Sequence, residues 1–290
     1  MSKGTSRLAL GALLAGALAL AGCGQKPVEA QPAFWKVEGP DGQQGWLFGT
    51  IHSSDRPVQW RSRAIGSALD GSGVIMVEVA NLSDESEVGA VFTRLSRTQG
   101  LPPLSRRVDA PDRPAIAKLL RRNGLKDEDF AGVETWAAAL TLARSGASTE
   151  EARNGVDRAV IAEARGKPVI ELEGAAAQLG LFDALPEKEQ RDLLRAVILE
   201  ADDRETDLSQ SWRSGDMTAI EQETRDGLLA DPELREVLFT ARNRAWTTRI
   251  SAAMTQRRRP FVAVGAAHMA GPQGLPAMLT AKGFTVTRVQ

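Results

Sequence analysis

The chain contains only two histidines, and both stand in the same four-residue frame, Gly-x-x-His. The frames are Gly49–His52 and Gly265–His268, near opposite ends of the chain. With 27 glycines in 290 residues, composition alone would produce this coincidence about once in a hundred such chains. A short apolar run precedes each frame, so each histidine is expected to follow a strand. Matched histidines at two strand ends predict one site assembled from distant segments.

Carboxylates are the second group of residues with chemical potential. Glu78 interrupts the apolar run 74–79, where a lone carboxylate is costly to bury unless it is paired, metal-bound or protonated. Glu171 and Glu173 accompany another predicted strand, and we expect only one of them to reach the site. Two imidazoles with one or two carboxylates form a donor set for a divalent ion, with a position left for water.

Structural alternatives exist for each of these residues. Either histidine could be a hydrogen-bonded structural residue, and Glu78 could instead form a salt bridge with an arginine. The glycine of each frame is expected to let the backbone turn sharply after the strand, which would aim the imidazole inward.

The elements that would position these residues can be predicted from hydrophobic periodicity. Apolar runs predict strands at 34–37, 46–51, 74–79, 169–172, 261–264 and 284–289. Helical patterns cover 111–165 and 186–259, with breaks near Gly215 and at Asp231-Pro232. We therefore predict an α/β or α+β fold, with a mixed central sheet and a helical middle at about 105–258. In such folds ligands bind beyond the carboxyl ends of the strands.

The N-terminus is typical of a targeting segment. A basic start and an apolar run over residues 8–20 lead to Leu-Ala-Gly-Cys23, which matches the bacterial lipobox. We predict a lipoprotein signal peptide at 1–22, lipidation of Cys23, and a polar tether over 23–33 before a domain at 34–290. Gly24 resembles the default for outer-membrane sorting, so the expected location is the outer membrane, facing the periplasm. The alternative is an ordinary secretory signal.

Composition excludes several other classes of protein. The formal net charge is −1, which gives no reason to expect a nucleic-acid partner. Cys23 is the only cysteine, so disulfides within the chain are excluded. There is no Gly-x-Ser-x-Gly motif, and no catalytic serine or cysteine is indicated.

Several short motifs together resemble the TraB/GumN family, whose animal relatives are the Tiki membrane proteases. The resemblance covers nearly all of the chain after Cys23. The motifs are Phe34-Trp35-Lys36-Val37, Trp46 to His52, Val77-Glu78-Val79, Gly155-Val156-Asp157, Lys167 to Glu173, Gln178 to Pro186, Arg242-Asn243-Arg244 and Val262 to His268. Their order and spacing make the match specific.

The resemblance implies a site built from His52, His268, Glu78 and Arg242. Tiki-type members are metal-dependent peptidases, and other members are linked to inactivation of secreted peptide pheromones. Related branches include erythromycin esterases and a haem-binding protein, so the scaffold does not fix the substrate. Two positions differ from the usual pattern, with Ala80 where an aspartate is common and Gly174 where a threonine is common.

The function we expect is that of a lipid-anchored hydrolase that cleaves peptide bonds with manganese, cobalt or zinc. His52, His268 and Glu78 would hold the ion, with Glu78 alternatively the general base. Arg242 would stabilise the oxyanion or bind a substrate carboxylate, or would form only a salt bridge. The alternatives are a non-catalytic binding protein for a peptide, haem or metal ion, and a metal-free, esterase-like hydrolase.

Three further residues are expected to support the site or to bind substrate: Asp157, Glu173 and Asn243. Each could orient a ligand through a hydrogen bond. Asp157 has an alternative role as the N-cap of a helix.

Overall fold

The structure is a computed structural model that describes residues 26–81, 85–145, 149–202 and 208–290. The predicted signal peptide and the lipidation site at Cys23 lie outside these residues. Within them, no helix combines the length and the apolar character that crossing a bilayer requires.

In the ranges that the structure describes, eight strands form two sheets. The strands are β1 (Val28–Glu29), β2 (Phe34–Glu38), β3 (Gln44–Thr50), β4 (Val58–Gln59), β5 (Val74–Val77), β6 (Val169–Glu171), β7 (Pro260–Gly265) and β8 (Thr285–Arg288). β1 and β4 form a short parallel pair, and the other six form one sheet in the order β6-β5-β7-β3-β2-β8. These six are the strands predicted from sequence, with ends that differ by at most two residues.

The large sheet is mixed, which confirms the predicted fold class. β6, β5, β7 and β3 pair in parallel, whereas β2 is antiparallel to both β3 and β8. β7 lies between β5 and β3 although it follows both by more than 180 residues in the chain. The carboxyl ends of β5, β7 and β3 therefore lie side by side at one edge of the sheet.

Alternating side chains of these strands enter two different cores. Phe48 of β3 and Phe261 of β7 face one apolar cluster, while Leu47 and Val262 face another on the opposite side. Strands that are apolar on both faces are expected where helices cover both sides of a sheet. The sheet is thus the middle layer of an α/β/α arrangement.

Thirteen α-helices surround the sheet or form a separate helical core within the described residues. They are α1 (Arg63–Gly71), α2 (Glu85–Leu95), α3 (Arg113–Arg122), α4 (Thr135–Arg144), α5 (Thr149–Arg153), α6 (Val156–Ala162), α7 (Ala175–Asp183), α8 (Glu187–Asp202), α9 (Leu208–Ser214), α10 (Met217–Asp226), α11 (Pro232–Arg235), α12 (Ala241–Thr255) and α13 (Leu275–Ala281). One π-helical turn, Glu236–Thr240, joins α11 to α12.

The breaks predicted in the helical middle have clear local causes. α9 ends before Gly215, which adopts φ +69°, a conformation that favours glycine. The Asp231 side chain caps α11 by accepting hydrogen bonds from the backbone N–H groups of Glu233 and Leu234. The helical core itself packs α4 against α8, with Trp136 and Leu194 fully buried.

The tether predicted over residues 23–33 is too long. From Val28 onward the backbone is bonded to the domain, with Val28 N–H donating to the Pro57 carbonyl (2.8 Å) and Gln31 N–H to the Arg213 carbonyl (2.7 Å). Ala30 and Ala33 pack against the two sheet cores. The segment was predicted to be a tether because its composition is polar, but a few apolar residues within it anchor it to the domain.

Candidate active site

The candidate site lies at the edge of the sheet where β5, β7 and β3 end. Glu78 directly follows β5, His52 lies two residues beyond β3, and His268 lies in a short 3₁₀ turn, Ala266–Met269, after β7. Since the three strands are parallel neighbours, their ends deliver the three side chains to one place.

Neither glycine of the two Gly-x-x-His frames makes a sharp turn, and only Gly49 is required by close packing. Neither Gly49 nor Gly265 has a positive φ, so the turn explanation is wrong. A Cβ on Gly49 would lie 3.0 Å from the Ala266 Cα, because β3 and the turn after β7 touch there. A Cβ on Gly265 would lie 3.4 Å from Oε1 of Glu78 and 3.9 Å from Nε2 of His52, so this glycine leaves the centre of the site open.

His52 is held by a carboxylate. Its Nδ1 lies 2.7 Å from Oδ2 of Asp157, the second residue of α6, whose N-cap is Gly155. The Asp157 side chain is 10% exposed and that of His52 is 69% exposed. The hydrogen bond to Asp157 raises the pKa of His52 to about 9, even with so much of the ring exposed. Asp157 is therefore placed to orient the imidazole. It is not the N-cap residue, although its Oδ1 accepts from the Arg158 backbone N–H (2.8 Å) in the first turn of α6.

His268 is held by a neutral amide. Asn243, fully buried, donates through Nδ2 to the Gln273 carbonyl (2.7 Å), which leaves its Oδ1 to accept from Nδ1–H of His268 (2.7 Å). Burial lowers the pKa of His268 to about 3, so the ring is neutral at pH 7. Because Asn243 has no exposed surface, it positions His268 and does not contact substrate.

Glu78 is fully engaged by hydrogen-bond donors. Oε1 accepts from the Gly265 N–H (2.8 Å), and Oε2 accepts from Arg242 (2.8 Å) and Gln178 (3.1 Å). Burial would raise the pKa of Glu78, but nearby His268, Arg242 and His52 outweigh it and lower the pKa to about 2. Glu78 therefore stays ionised in the folded protein, and it takes the salt bridge that was an alternative from sequence.

Arg242 is the centre of a buried ion-pair network. Its Nε and Nη2 are each 2.9 Å from a carboxylate oxygen of Glu173, while Nη2 also donates to Glu78. Nη1 donates to the Leu238 carbonyl (3.0 Å) and lies 3.3 Å from Nε2 of His268. Only 10% of the arginine side chain is exposed, so this is not a salt bridge on an open helix face.

The sequence left open which of the two glutamates near β6 reaches the site, and the structure places Glu173 there. Glu171 instead accepts a hydrogen bond from the Ala80 N–H (2.7 Å). Gly174 adopts φ +86°, where a side chain is strained, and a Cβ would lie 2.9 Å from Oε2 of Glu171. The unusual glycine at 174 thus suits the position of Glu171.

Sequence reasoning missed three residues that shape the site. Gln178 of α7 donates to Glu78, and the rings of Phe239 and Trp246 lie 5.3 and 4.5 Å from the His268 ring, measured between centroids. Trp246 also donates its indole N–H to Glu173 (3.0 Å). Phe239 and Trp246 are spaced three residues before and four after Arg242, a helical repeat that could have indicated their shared face.

The donor set suits a divalent ion, with one obstruction. Nδ1 of both histidines is occupied by an oxygen acceptor, the arrangement common for metal-binding histidines, which ligate through Nε2. Nε2 of His52 and Oε1 of Glu78 border the space above Gly265. Across the described parts of the chain, however, no three His, Cys, Asp or Glu side chains are arranged as a metal site. Arg242 lies 3.3 Å from Nε2 of His268, the nitrogen through which that ring would ligate an ion.

Comparison with known proteins decides the family. The model of the TraB/PrgY/gumN family matches residues 33–288. The chain belongs to this family. All the residues of the candidate site fall within the matched range.

Two bacterial proteins that are similar to this chain have names that describe them only as uncharacterized. The uncharacterized protein YbaP of Shigella flexneri is 26% identical over 257 residues, which cover 83% of this chain and 89% of YbaP. YbaP of Escherichia coli K12 gives the same values. No solved structure matches the chain at a significant level.

Proposed function

We propose that this TraB/PrgY/gumN family member is a lipid-anchored, metal-dependent hydrolase that cleaves peptide bonds in the periplasm. One observation carries the hydrolytic part of this proposal. Both histidines commit Nδ1 to an oxygen acceptor, Asp157 or Asn243, while Nε2 of His52, Oε1 of Glu78 and the edge of the His268 ring all lie within 3.9 Å of the position that a Cβ on Gly265 would take. The lipobox at Cys23 supports the anchor, and the resemblance to Tiki-type members supports the peptide substrate.

In this proposal the residues of the candidate site have different roles. His52, His268 and Oε1 of Glu78 would hold the ion, which would supply an acidified water and polarise the carbonyl. Asp157 and Asn243 fix the tautomer and the direction of the two imidazoles. Because Glu78 is ionised and hydrogen-bonded on both oxygens, its carboxylate has little freedom to rotate. It is therefore placed as a ligand, and the role of general base is the less favoured one.

Arg242 and the aromatic residues would act on the substrate side. The guanidinium lies beside His268 and Glu78, where it can stabilise the oxyanion of a tetrahedral intermediate or bind a substrate carboxylate. Glu173 is placed to orient Arg242 through two hydrogen bonds. Trp246 and Phe239 exclude water from the buried side of His268.

The decisive experiment is metal analysis of the purified protein, carrying an affinity tag without histidine. Wild type and His52→Ala/His268→Ala are incubated with manganese, cobalt or zinc and then dialysed. Near-stoichiometric metal in wild type and none in the double variant is the expected result. Metal in neither protein would overturn the metallohydrolase, and metal binding without cleavage of any peptide pool would indicate a binding protein.

A matched pair of glutamate variants tests the role of Glu78. Glu78→Gln should lose bound metal because it removes the negative charge that borders the open space. Glu171→Gln is the control, since that carboxylate lies on the neighbouring strand and accepts from the Ala80 N–H. Equal metal content in the two variants would remove Glu78 from the ligand set.

Metal-free hydrolysis is the second candidate, favoured by the exposed His52–Asp157 pair. Such a pair can act as a general base. Its raised pKa weighs against this role, because a histidine with a pKa of about 9 is protonated at neutral pH and cannot accept a proton. The same proton must leave Nε2 before His52 can ligate an ion, but a bound cation would replace the positive charge beside Asp157, whereas a metal-free base has no such replacement. Activity that survives exhaustive chelation, yet falls in His52→Ala, would establish this candidate in place of the first.

A further inference from the structure

Arg242 is hydrogen-bonded to two of the three residues that would hold a metal ion at this site, His268 and Glu78. Asn243 fixes Nδ1 of His268 as the protonated nitrogen, so Nε2 carries the lone pair, and Arg242 Nη1 donates to that nitrogen at 3.3 Å. The same guanidinium donates to Oε2 of Glu78 at 2.8 Å. In this arrangement the guanidinium already donates a hydrogen bond to the His268 imidazole and another to one of the two carboxylate oxygens of Glu78.

We propose that Arg242 is an internal counter-cation that competes with the metal ion for His268 and Glu78. The inference rests on the proposed metal site and concerns how readily that site binds its ion. In the metal-free protein Arg242 neutralises Glu78 and Glu173, two buried carboxylates that would otherwise repel one another. The metal-free fold is thereby stabilised, and the affinity for metal is lowered.

The remaining contacts of Arg242 would retain it near the site after its release from His268 and Glu78. Glu173 binds it through two hydrogen bonds, the Leu238 carbonyl accepts from Nη1, and the Trp246 ring lies 4.7 Å from its Cζ. None of these three partners belongs to the proposed ligand set. A short displacement, without loss of the Glu173 pairing, frees Nε2 of His268 and removes the positive charge beside the Glu78 carboxylate.

Cobalt(II) binding to the purified full-length chain tests the competition directly. The metal-free protein is titrated with Co²⁺ in mild detergent, and binding is followed by absorbance, independently of any activity. Arg242→Gln should bind Co²⁺ at least about tenfold more tightly than wild type, because a charged hydrogen-bond competitor is removed. Arg244→Gln is the matched control: it lies on the same helix, is 58% exposed and pairs with Glu236, and it should match wild type.

Arg242→Lys keeps the test valid should the glutamine variant fail to fold. A lysine ammonium is a point charge that cannot bridge Glu173, Glu78 and His268 as a guanidinium does. Its Co²⁺ affinity should therefore lie between those of wild type and Arg242→Gln. Thermal melts of each variant establish that the measured chains are folded.

The outcomes separate this inference from the proposed function. Unchanged or weaker Co²⁺ binding in folded Arg242 variants, with wild type binding and His52→Ala/His268→Ala not binding, overturns the competition alone. An absence of Co²⁺ binding in every protein overturns both. If Arg242→Gln binds Co²⁺ and wild type does not, Arg242 blocks metal binding completely, and the competition is confirmed.

Discussion

Gly265 shows how a missing side chain can be a functional feature. The residue has φ −47°, a value open to any amino acid, so its backbone conformation does not require glycine. A side chain on this residue would instead lie among the groups of the site, because a Cβ there comes within 3.9 Å of Glu78, His268 and His52. The residue belongs to the site although it has no functional group.

We predict that Gly265→Ala separates folding from metal binding. The added Cβ would lie 3.4 Å from Oε1 of Glu78 and 3.8 Å from Cδ2 of His268, which are ordinary van der Waals distances. The melting temperature should therefore change by no more than about 4 °C, the shift expected for about 1 kcal/mol. Metal affinity should fall at least about tenfold, because the methyl group enters the space that the ion would use.

Calorimetry and metal titration on the same sample check this prediction. Gly283→Ala is a poor control because of its φ of +90°, whereas Gly89→Ala is suitable, since a Cβ there meets nothing within 4 Å. An unchanged metal affinity in folded Gly265→Ala would place the ion elsewhere.

The sequence identified the residues of the site more readily than their partners. His52 and His268 were recognised because they share the Gly-x-x-His frame. Glu78 was recognised because it is a charged residue within an apolar run. The pairings of Asp157 with His52, and of Glu173 with Arg242, join residues 105 and 69 positions apart. Such pairings depend on how helices stack against the sheet, which the periodicity of a single chain does not encode.

At the scale of elements, one long helix links the site to the rest of the molecule. α11, the π-helical turn and α12 run without interruption from Pro232 to Thr255. Leu238 and Phe239 of the π turn join the helical core, and Trp246 of α12 joins a sheet core. The π turn thus lies where the helix passes from one core to the other, and such turns are frequent at functional sites.

We predict that the end of β3 depends on a hydrogen bond from α9. The indole N–H of buried Trp212 donates to the Gly49 carbonyl at 2.8 Å, three residues before His52. Trp212→Phe leaves that carbonyl unpaired and should lower the free energy of unfolding by about 1–3 kcal/mol. Metal affinity should fall as well, since β3 carries His52.

Denaturant unfolding and metal titration of Trp212→Phe test this connection. Trp60→Phe is the companion variant, because the Trp60 ring packs in the same core and stacks on Phe48 at 5.6 Å. If the two variants lose stability and metal affinity equally, ring volume and not the hydrogen bond accounts for the effect.

At the scale of the whole molecule, the described part of the chain forms three apolar cores. Two lie on opposite faces of the sheet, and the third lies among the helices, with no strand residue in it. The residues proposed to bind metal are supported by the two sheet cores. The helical core meets the site at Phe239, whose ring lies 5.3 Å from that of His268, and most of its other residues lie on helices that do not contact these side chains.

We predict that damage to the helical core reduces stability without changing metal affinity. Leu194 of α8 is fully buried against α4, and Leu194→Ala should cost about 2–5 kcal/mol by creating a cavity. Leu199→Ala on the same helix removes a side chain that is 51% exposed and should cost far less. A change in metal affinity of more than about threefold in folded Leu194→Ala would contradict this independence.

The positions of the six strands of the large sheet were predicted from the sequence, but their order in the sheet was not. Apolar runs such as 74–77 and 261–264 reveal strands that are buried on both faces, because every residue in them must be apolar. The order β6-β5-β7-β3-β2-β8 could not be derived, since pairing between β7 and its neighbours spans the whole helical middle. The pair β1–β4 escaped prediction because two-residue strands have no periodicity.

The central position of β7 has a consequence for how the protein is made. Chains are synthesised from the N-terminus, and elements already complete can begin to fold. A nascent chain that has reached residue 259 contains the pairs β2–β3 and β5–β6 but lacks the strand that joins them. Both halves then present unpaired apolar edges, which are prone to aggregate and need protection. The site that His52 and Glu78 form with His268 therefore cannot assemble until His268, in the last tenth of the polypeptide, has been translated.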